Sequence, residues 1–274
     1  MKMMYPQLLS ILRAGVRDAV AQLPAEGIEE LRLRPGRRLR MLVNGRLIEA
    51  PAIVSDEDLR FCVNAASRYS PWNATGMSRG YLTAPGGHRI GLCGVYRDGK
   101  LQDLTSACIR VAKDFPGISR GIPVGDSVLI LGPPGCGKTT LLRDLIRRIS
   151  AGSVVSVVDE REELFPHSEG EHCFEPGPNT DVLLGCGKAP GIDMVLRSMG
   201  PQWIAMDEIT DEVDCAALVR AMRCEVKLAV TAHAESASDL RSRAVYQPLT
   251  RMGVFRRAVV LDRNRQWHME EICE

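Results

Sequence analysis

Aromatic residues make up only 5% of this 274-residue chain, too few to suggest a platform of rings on which bases or sugars stack. Long apolar runs are also missing: nowhere do about 18 apolar residues follow one another, so no helix is expected to cross a bilayer. Net charge is nearly absent, with 35 Lys plus Arg against 34 Asp plus Glu. That balance excludes a wholly basic nucleic-acid coat and an acidic disordered chain. The nine cysteines are odd in number and none forms a Cys-x-x-Cys pair, which points to reduced thiols of an intracellular protein. Arg13, Arg17 and Asp18 interrupt the apolar stretch near the start, so no secretory leader is expected. What is present is ordinary globular composition, 45% hydrophobic and 25% charged, in a length that suits one large or two small domains.

The near-neutral total hides an asymmetry. Residues 1–120 hold 18 basic and 11 acidic residues, a balance of +7, and residues 121–274 hold 17 and 23, a balance of −6. The patterning divides at the same place. Apolar positions from Leu8 to Leu23 have helical spacing. Ile28–Leu33 and Leu39–Val43 read as short strands, and Asn44-Gly45 predicts a tight hairpin to Leu47-Ile48. Ser55 followed by Asp56, Glu57 and Asp58 predicts a capped helix to about Tyr69, and a second hairpin is expected from Gly80–Thr83 to Arg89–Leu92. Residues 1–115 are therefore expected to form a small α+β domain. Pro and Gly then punctuate 116–123 as a linker.

Beyond it, residues 124–274 alternate short apolar strands with helices. Strands are expected at 128–131, 154–158, 203–207, 228–231 and 258–262, and helices at 138–149, 190–199 and 212–224. Runs apolar on both faces suit a mostly parallel sheet covered by helices, an α/β fold.

The chemistry is concentrated at the strand ends. Gly132, Pro133, Pro134, Gly135, Cys136, Gly137, Lys138 and Thr139 fit G-x-x-x-x-G-K-[ST] between a strand and a helix. Backbone N–H groups of such a loop cradle phosphates at a positive helix end. Lys138 is expected to reach the β- and γ-phosphates of ATP, Thr139 to ligate Mg²⁺, and Thr140 to lie beside them. Trp203–Met206 followed by Asp207 and Glu208 supplies the acidic element a P-loop needs: Asp207 for the Mg²⁺ shell, Glu208 to polarise water. Asp159 and Glu160 end one further strand, and His233 ends another, so they can converge on the same nucleotide. Glu160 and Glu208 remain alternatives as water activator. An arginine finger is expected in trans, with Arg89 and Arg110 as candidates and Arg79 and Arg97 as weaker ones. His167, His172, Cys173 and Cys186 have no usual zinc spacing.

The strings GPPGCGKTTLLRD, VVDEREE, RSMGPQWIAMDEI and TAH, with EELRLRPGRRL and GYLTAPGGHRIGLCG before them, resemble the stage III sporulation protein AA ATPases of endospore-forming bacteria. Their wider relatives are secretion and pilus motor ATPases. The resemblance implies an N-terminal domain followed by a RecA-like P-loop domain, with Asp159 and Glu160 in an aspartate box, Asp207 and Glu208 in Walker B and His233 in a histidine box. It also implies a cytoplasmic homo-oligomer, a hexamer, acting in the mother cell with membrane channel proteins that face the forespore. The family carries Gly where this chain has Thr210, and often where it has Ala234. Two other classes share these motifs: a nucleotide-binding switch or scaffold with little turnover, and a nucleic-acid-dependent motor. The scarcity of aromatics and of any known nucleic-acid module argues against the second.

Overall fold

Two short helices, α1 (Met4–Ser10) and α2 (Ala14–Ala21), open the chain where one helical stretch was expected. The break falls at Ile11–Arg13, where Arg13 takes extended backbone (ψ 157°). Ile11 and Leu12 stay buried at 1% and 2% exposure, so the apolar stripe is kept while the helix is not. The computed structural model describes residues 4–67, 80–168 and 171–272. Within these, the chain divides into two compact units. One holds the described residues up to Asp114 and a short pair of strands around 167–173, and the other holds Phe115–Pro166 with the rest from Phe174 onward.

The first unit is built on a six-stranded antiparallel sheet: β1 (Ile28–Leu33), β2 (Arg38–Val43), β3 (Arg46–Ile53), β4 (Tyr81–Ala84), β5 (His88–Arg97) and β6 (Lys100–Arg110), in the order β3-β2-β1-β6-β5-β4. Asn44 and Gly45 both have positive φ (50° and 73°), as the expected two-residue turn requires. Asp98 and Gly99 make the same turn (φ 50° and 77°) into β6, an eleven-residue strand that the sequence reading passed over. Helix α3 (Asp56–Ala66) starts with a full capping box between Ser55 and Asp58. Leu31, Leu39, Ile90 and Ile109 from the sheet are fully buried in one core with Leu8, Val20, Leu59 and Cys62 from the helices. Each such leucine or isoleucine contributes about 1.5–3 kcal/mol on burial.

The second unit holds a seven-stranded sheet of β7 (Val128–Leu131), β8 (Val155–Asp159), β11 (Thr180–Leu184), β12 (Trp203–Ile209), β13 (Lys227–Ala232), β14 (Arg257–Leu261) and β15 (Trp267–Glu271). Their order is β11-β8-β12-β13-β7-β14-β15. All neighbours are parallel except β14 and β15. Every residue of β7 and β8 is buried, and consecutive side chains point to opposite faces, so both faces are covered. Helices α4 (Lys138–Ile149), α5 (Lys188–Ser198) and α6 (Glu212–Arg223) supply most of that cover. The shorter α7 (Ala237–Ser242) and α8 (Gln247–Arg251) follow β13. The remaining strands, β9 (His167–Ser168) and β10 (Glu171–His172), pair antiparallel in the first unit.

The Pro/Gly-rich stretch at 115–123 belongs to the second unit and is held there as a strap rather than left as a free linker. Buried Asp144 of α4 accepts the backbone N–H of Gly117 (2.7 Å) and of Ser119 (2.8 Å) and the Ser119 hydroxyl (2.6 Å). Arg148, one turn on, donates to the carbonyls of Ser119 and Ile122. Burial alone would raise the Asp144 carboxyl pKa, but Ser119, Gly117 and Arg147 outweigh it and hold it below the usual value. A depressed carboxyl stabilises the fold above its unfolded pKa, and that contribution is lost as the pH falls through the folded pKa. Asp144→Asn is therefore expected to lose about 2 kcal/mol at pH 7. The gap to the parent chain should narrow below about pH 4, as read from urea midpoints across that range.

Candidate nucleotide site

The loop Gly132–Lys138 leaves β7 and turns into α4. Gly137 has φ 104°, which favours glycine. A side chain at Gly132 (φ 154°) would meet the Leu261 carbonyl oxygen at 2.7 Å, so the loop's close approach to β14 also demands glycine. Lys138 Nζ donates to the carbonyls of Gly132 (2.8 Å) and Pro133 (3.0 Å) and lies 3.1 Å from His233 Nδ1. Burial lowers the Lys138 pKa, against the opposing influence of Cys136, Asp207 and Glu208. Because the lysine ammonium has only donors, His233 Nδ1 must accept. That puts the imidazole proton on Nε2, which donates to Glu208 Oε1 at 3.2 Å. His233 is thus a bridge between Lys138 and Glu208.

Asp207 and Glu208 are adjacent, so in a regular strand they would face opposite ways. The pairing of β12 with β13 shifts between Met206 and Ile209, which leaves two residues opposite Thr231 alone. Glu208 sits in this bulge with φ 58°. A bulge of this kind re-aims side chains, and here both carboxylates serve the same end of the sheet. Asp207 accepts the hydroxyls of Thr139 (2.6 Å) and Thr231 (2.6 Å), while Glu208 N–H donates to Thr231 Oγ1 (2.7 Å). Arg161 Nη1 holds the second Glu208 oxygen at 2.9 Å. Thr139 Oγ1 and Asp207 Oδ2 form a hard-oxygen pair of the kind Mg²⁺ prefers, so the donor set fits that ion. Among the described residues no group of three or more His, Cys, Asp or Glu is disposed to hold a metal ion.

The end of β8 splits its two acids. Asp159, 2% exposed, accepts the N–H groups of Glu163, Leu164 and Phe165 at 2.8–2.9 Å and so folds the loop after the strand. Burial pushes its carboxyl up to about 7, against the pull of the Phe165 and Leu164 N–H groups. Arg143 of α4 donates to the Leu164 and Glu163 carbonyls (2.6 and 2.8 Å) and covers the Phe174 ring at 3.9 Å. Glu160 instead lines a pocket with Asp159, Arg161, Lys188, Asp207 and Glu208.

Of the residues singled out in the sequence, the structure brings Lys138, Thr139, Glu160, Asp207, Glu208 and His233 to one end of the sheet. Pro134, Gly135 and Cys136 lie in the loop, and Thr140 in the first turn of α4. Arg89 and Arg110 are directly paired across β5 and β6 in the first unit, where Arg89 lies over the Tyr81 ring at 4.2 Å. Arg97 ends β5 on the surface, and Arg79 lies outside the described residues. His167 and His172 pack edge to face, 5.4 Å apart.

Lys188 and Asp214 join this end of the site without a motif to mark them, and Thr210 joins them. Lys188 Nζ donates to Thr210 Oγ1 (3.1 Å) and Asp214 Oδ2 (3.3 Å) and pairs with Glu160 Oε2 at 3.6 Å. Lys188 carried no sequence signal, because a lysine among glycines normally marks a solvated turn.

A family model described as sporulation stage III, protein AA, matches residues 4–270. The chain belongs to that family. It is 33% identical to stage III sporulation protein AA of Bacillus subtilis, across 94% of this chain and 91% of that protein. A relative of another kind, protein SEEDLING PLASTID DEVELOPMENT 1 of Arabidopsis thaliana, is 29% identical over 82% of this chain but only 33% of its own length. Among solved structures, the Legionella pneumophila ATPase DotB superposes with a TM-score of 0.57 at 16% identity, over 93% of this chain and 77% of that one. The pilus retraction motor PilT with bound ADP gives 0.61 at 15%, with the same coverage. These likenesses establish an α/β fold shared with the ATPase DotB and the pilus retraction motor PilT. Among the described residues, no helix is long and apolar enough to cross a membrane.

Thr231 is the hinge of this geometry, since its one buried hydroxyl serves both the Asp207 carboxylate and the Glu208 amide. Thr231→Val keeps the shape and removes both bonds. It is expected to cost about 1–3 kcal/mol of stability, measured by chemical denaturation.

Proposed function

We propose that this sporulation-family chain is a Mg²⁺-dependent ATPase whose RecA-like second unit hydrolyses ATP to ADP and phosphate. The observation that carries this is the chain of contacts Lys138–His233–Glu208 beside Thr139–Asp207, all at the carboxyl ends of parallel strands, where open α/β sheets bind ligands. Gly132–Thr140 would wrap the phosphates, with Lys138 against the β- and γ-phosphates. Thr139 and Asp207 would hold Mg²⁺, which neutralises phosphate charge when bound.

Hydrolysis needs a water oxygen to bond the γ-phosphorus while the bond to the β,γ-bridging oxygen breaks and ADP leaves. The water's proton passes to a carboxylate, and Glu208 and Glu160 are the two candidates for it. His233, bonded to both Lys138 and Glu208, is suited to link phosphate contact with the orientation of Glu208.

The basic first unit and acidic second unit support assembly as a homo-oligomeric ring, a hexamer, in which Arg89 or Arg110 reaches a neighbour's nucleotide. In this reading 1–115 is the N-terminal domain and 124–274 the ATPase domain. The protein acts in the mother-cell cytoplasm, held at the membrane by channel proteins, and powers assembly of or transport through the passage to the forespore. No stable nucleic-acid partner is expected.

Phosphate release by the purified chain tests the reading. Lys138→Ala is expected to lose both nucleotide binding and turnover. Glu208→Gln, which weakens the Arg161 and His233 contacts at this end of the sheet, should keep binding but turn over at least about tenfold more slowly, and chelation of Mg²⁺ should stop the parent chain. Equal turnover in all three proteins would sink it.

A further inference from the structure

Lys188 is buried at 5% exposure and is the first residue of α5, whose N-cap Gly187 offers no side-chain bond. The N-terminal end of a helix carries partial positive charge, so a cation there is unfavourable. Burying an ion pair is also a poor source of stability, since an apolar replacement is often neutral or better. Folding alone does not account for a lysine at this place.

Its contacts suggest what does. An ammonium has three N–H donors, and Lys188 has three partners. Two of them, Thr210 Oγ1 on the connection from β12 into α6 and Asp214 Oδ2 in the first turn of α6, follow directly after the bulge that carries Asp207 and Glu208. This side is tightly built: Asp214 Oδ2 also accepts the Thr210 N–H (3.0 Å) and the Thr210 hydroxyl (2.9 Å), and Asp211 caps the same helix turn. The third partner, Glu160 Oε2 at 3.6 Å, sits across the pocket at the end of β8, with its side chain 41% exposed. Asp214 neutralises the buried charge and Thr210 fixes its direction, while Glu160 stands within ion-pair range at 3.6 Å.

We infer that Lys188 is a positioning residue for Glu160, holding that carboxylate at the rim of the nucleotide site against repulsion from Asp207 and Glu208. The inference rests on the ATPase reading above. In it, Glu160 takes the proton of the water whose oxygen bonds the γ-phosphorus, as ADP departs with the bridging oxygen. Lys188 exchanges no proton and touches no phosphate. Glu208 is already engaged through both oxygens, by Arg161 and His233, whereas Glu160 is held from one side. Without Lys188 the crowd of carboxylates would drive Glu160 out toward solvent.

The test compares Lys188→Met, Lys188→Arg, Glu160→Gln and the double variant Lys188→Met/Glu160→Gln, reading phosphate release and the affinity for a fluorescent ADP. Lys188→Met is expected to lower kcat by about tenfold to 10²-fold, the scale of a misplaced reacting group, with ADP affinity within about threefold of the parent. Lys188→Arg should restore part of the rate. The double variant should be no slower than Glu160→Gln alone, because a residue that acts only through another adds nothing once that one is gone. If Lys188→Met leaves Asp214 too destabilising for folding, Lys188→Met/Asp214→Asn removes both charges and should show the same loss of kcat with ADP binding kept. Full kcat in the Lys188 variants, or losses that multiply in the double variant, would overturn the inference alone. A parent chain that releases no phosphate would overturn it together with the ATPase reading.

Discussion

Negative charge is crowded at one end of a parallel sheet, and much of the second unit is arranged to make that tolerable. β8 and β12 are neighbours, and the register that pairs Met206 with Val158 brings Asp207 alongside Asp159. The Asp207 charge adds to the cost of ionising buried Asp159. Each is therefore given its own donors: three backbone N–H groups for Asp159, two threonine hydroxyls for Asp207, and an arginine and a histidine for Glu208. Lys188 does the same for Asp214 and Glu160.

Those donors come from different parts of the chain, which is how one electrostatic constraint shapes the surroundings. Satisfying Asp159 folds the 160–165 loop, and the loop's carbonyls then require Arg143 from α4. Satisfying Asp207 draws Thr139 from the first turn of α4 and Thr231 from β13. Helix α4 is thereby tied to β12 and to the loop after β8, and through Asp144 and Arg148 to the strap at 117–122. A phosphate at the start of α4 would meet a helix already locked to the acids that flank it. In the proposed ATPase, such preorganisation would cost no rearrangement at the moment of reaction.

The parts that could be read from sequence are those governed by local rules. The glycine spacing before Lys138, the Asn44-Gly45 turn and the Ser55 cap each express the conformational needs of a few neighbouring residues. Two apolar runs ending in acids, at Asp159 and Asp207, placed the candidate site at the strand ends. The same local rule applies at Asp98-Gly99, which makes the same turn as Asn44-Gly45 and leads into β6, one of the two central strands of the first sheet. The break at Ile11–Arg13 had no comparable signal, since helical spacing persists across it.

Local patterning sets the glycine-rich loop before Lys138, the acids and histidine that accompany it, and the alternation of strands and helices that puts them on one edge. Tertiary structure alone decided how the acids divide the work. It turned Asp159 into a loop cap and Glu160 toward the pocket, bulged β12 so that Asp207 and Glu208 serve the same end, and set His233 between Lys138 and Glu208. It also buried Lys188 and strapped 117–122 to α4. The physical reason is common to all of these. Periodicity and turn chemistry depend on residues a few positions apart, whereas the state of a buried charge depends on partners up to 95 positions away, the separation of Lys138 and His233.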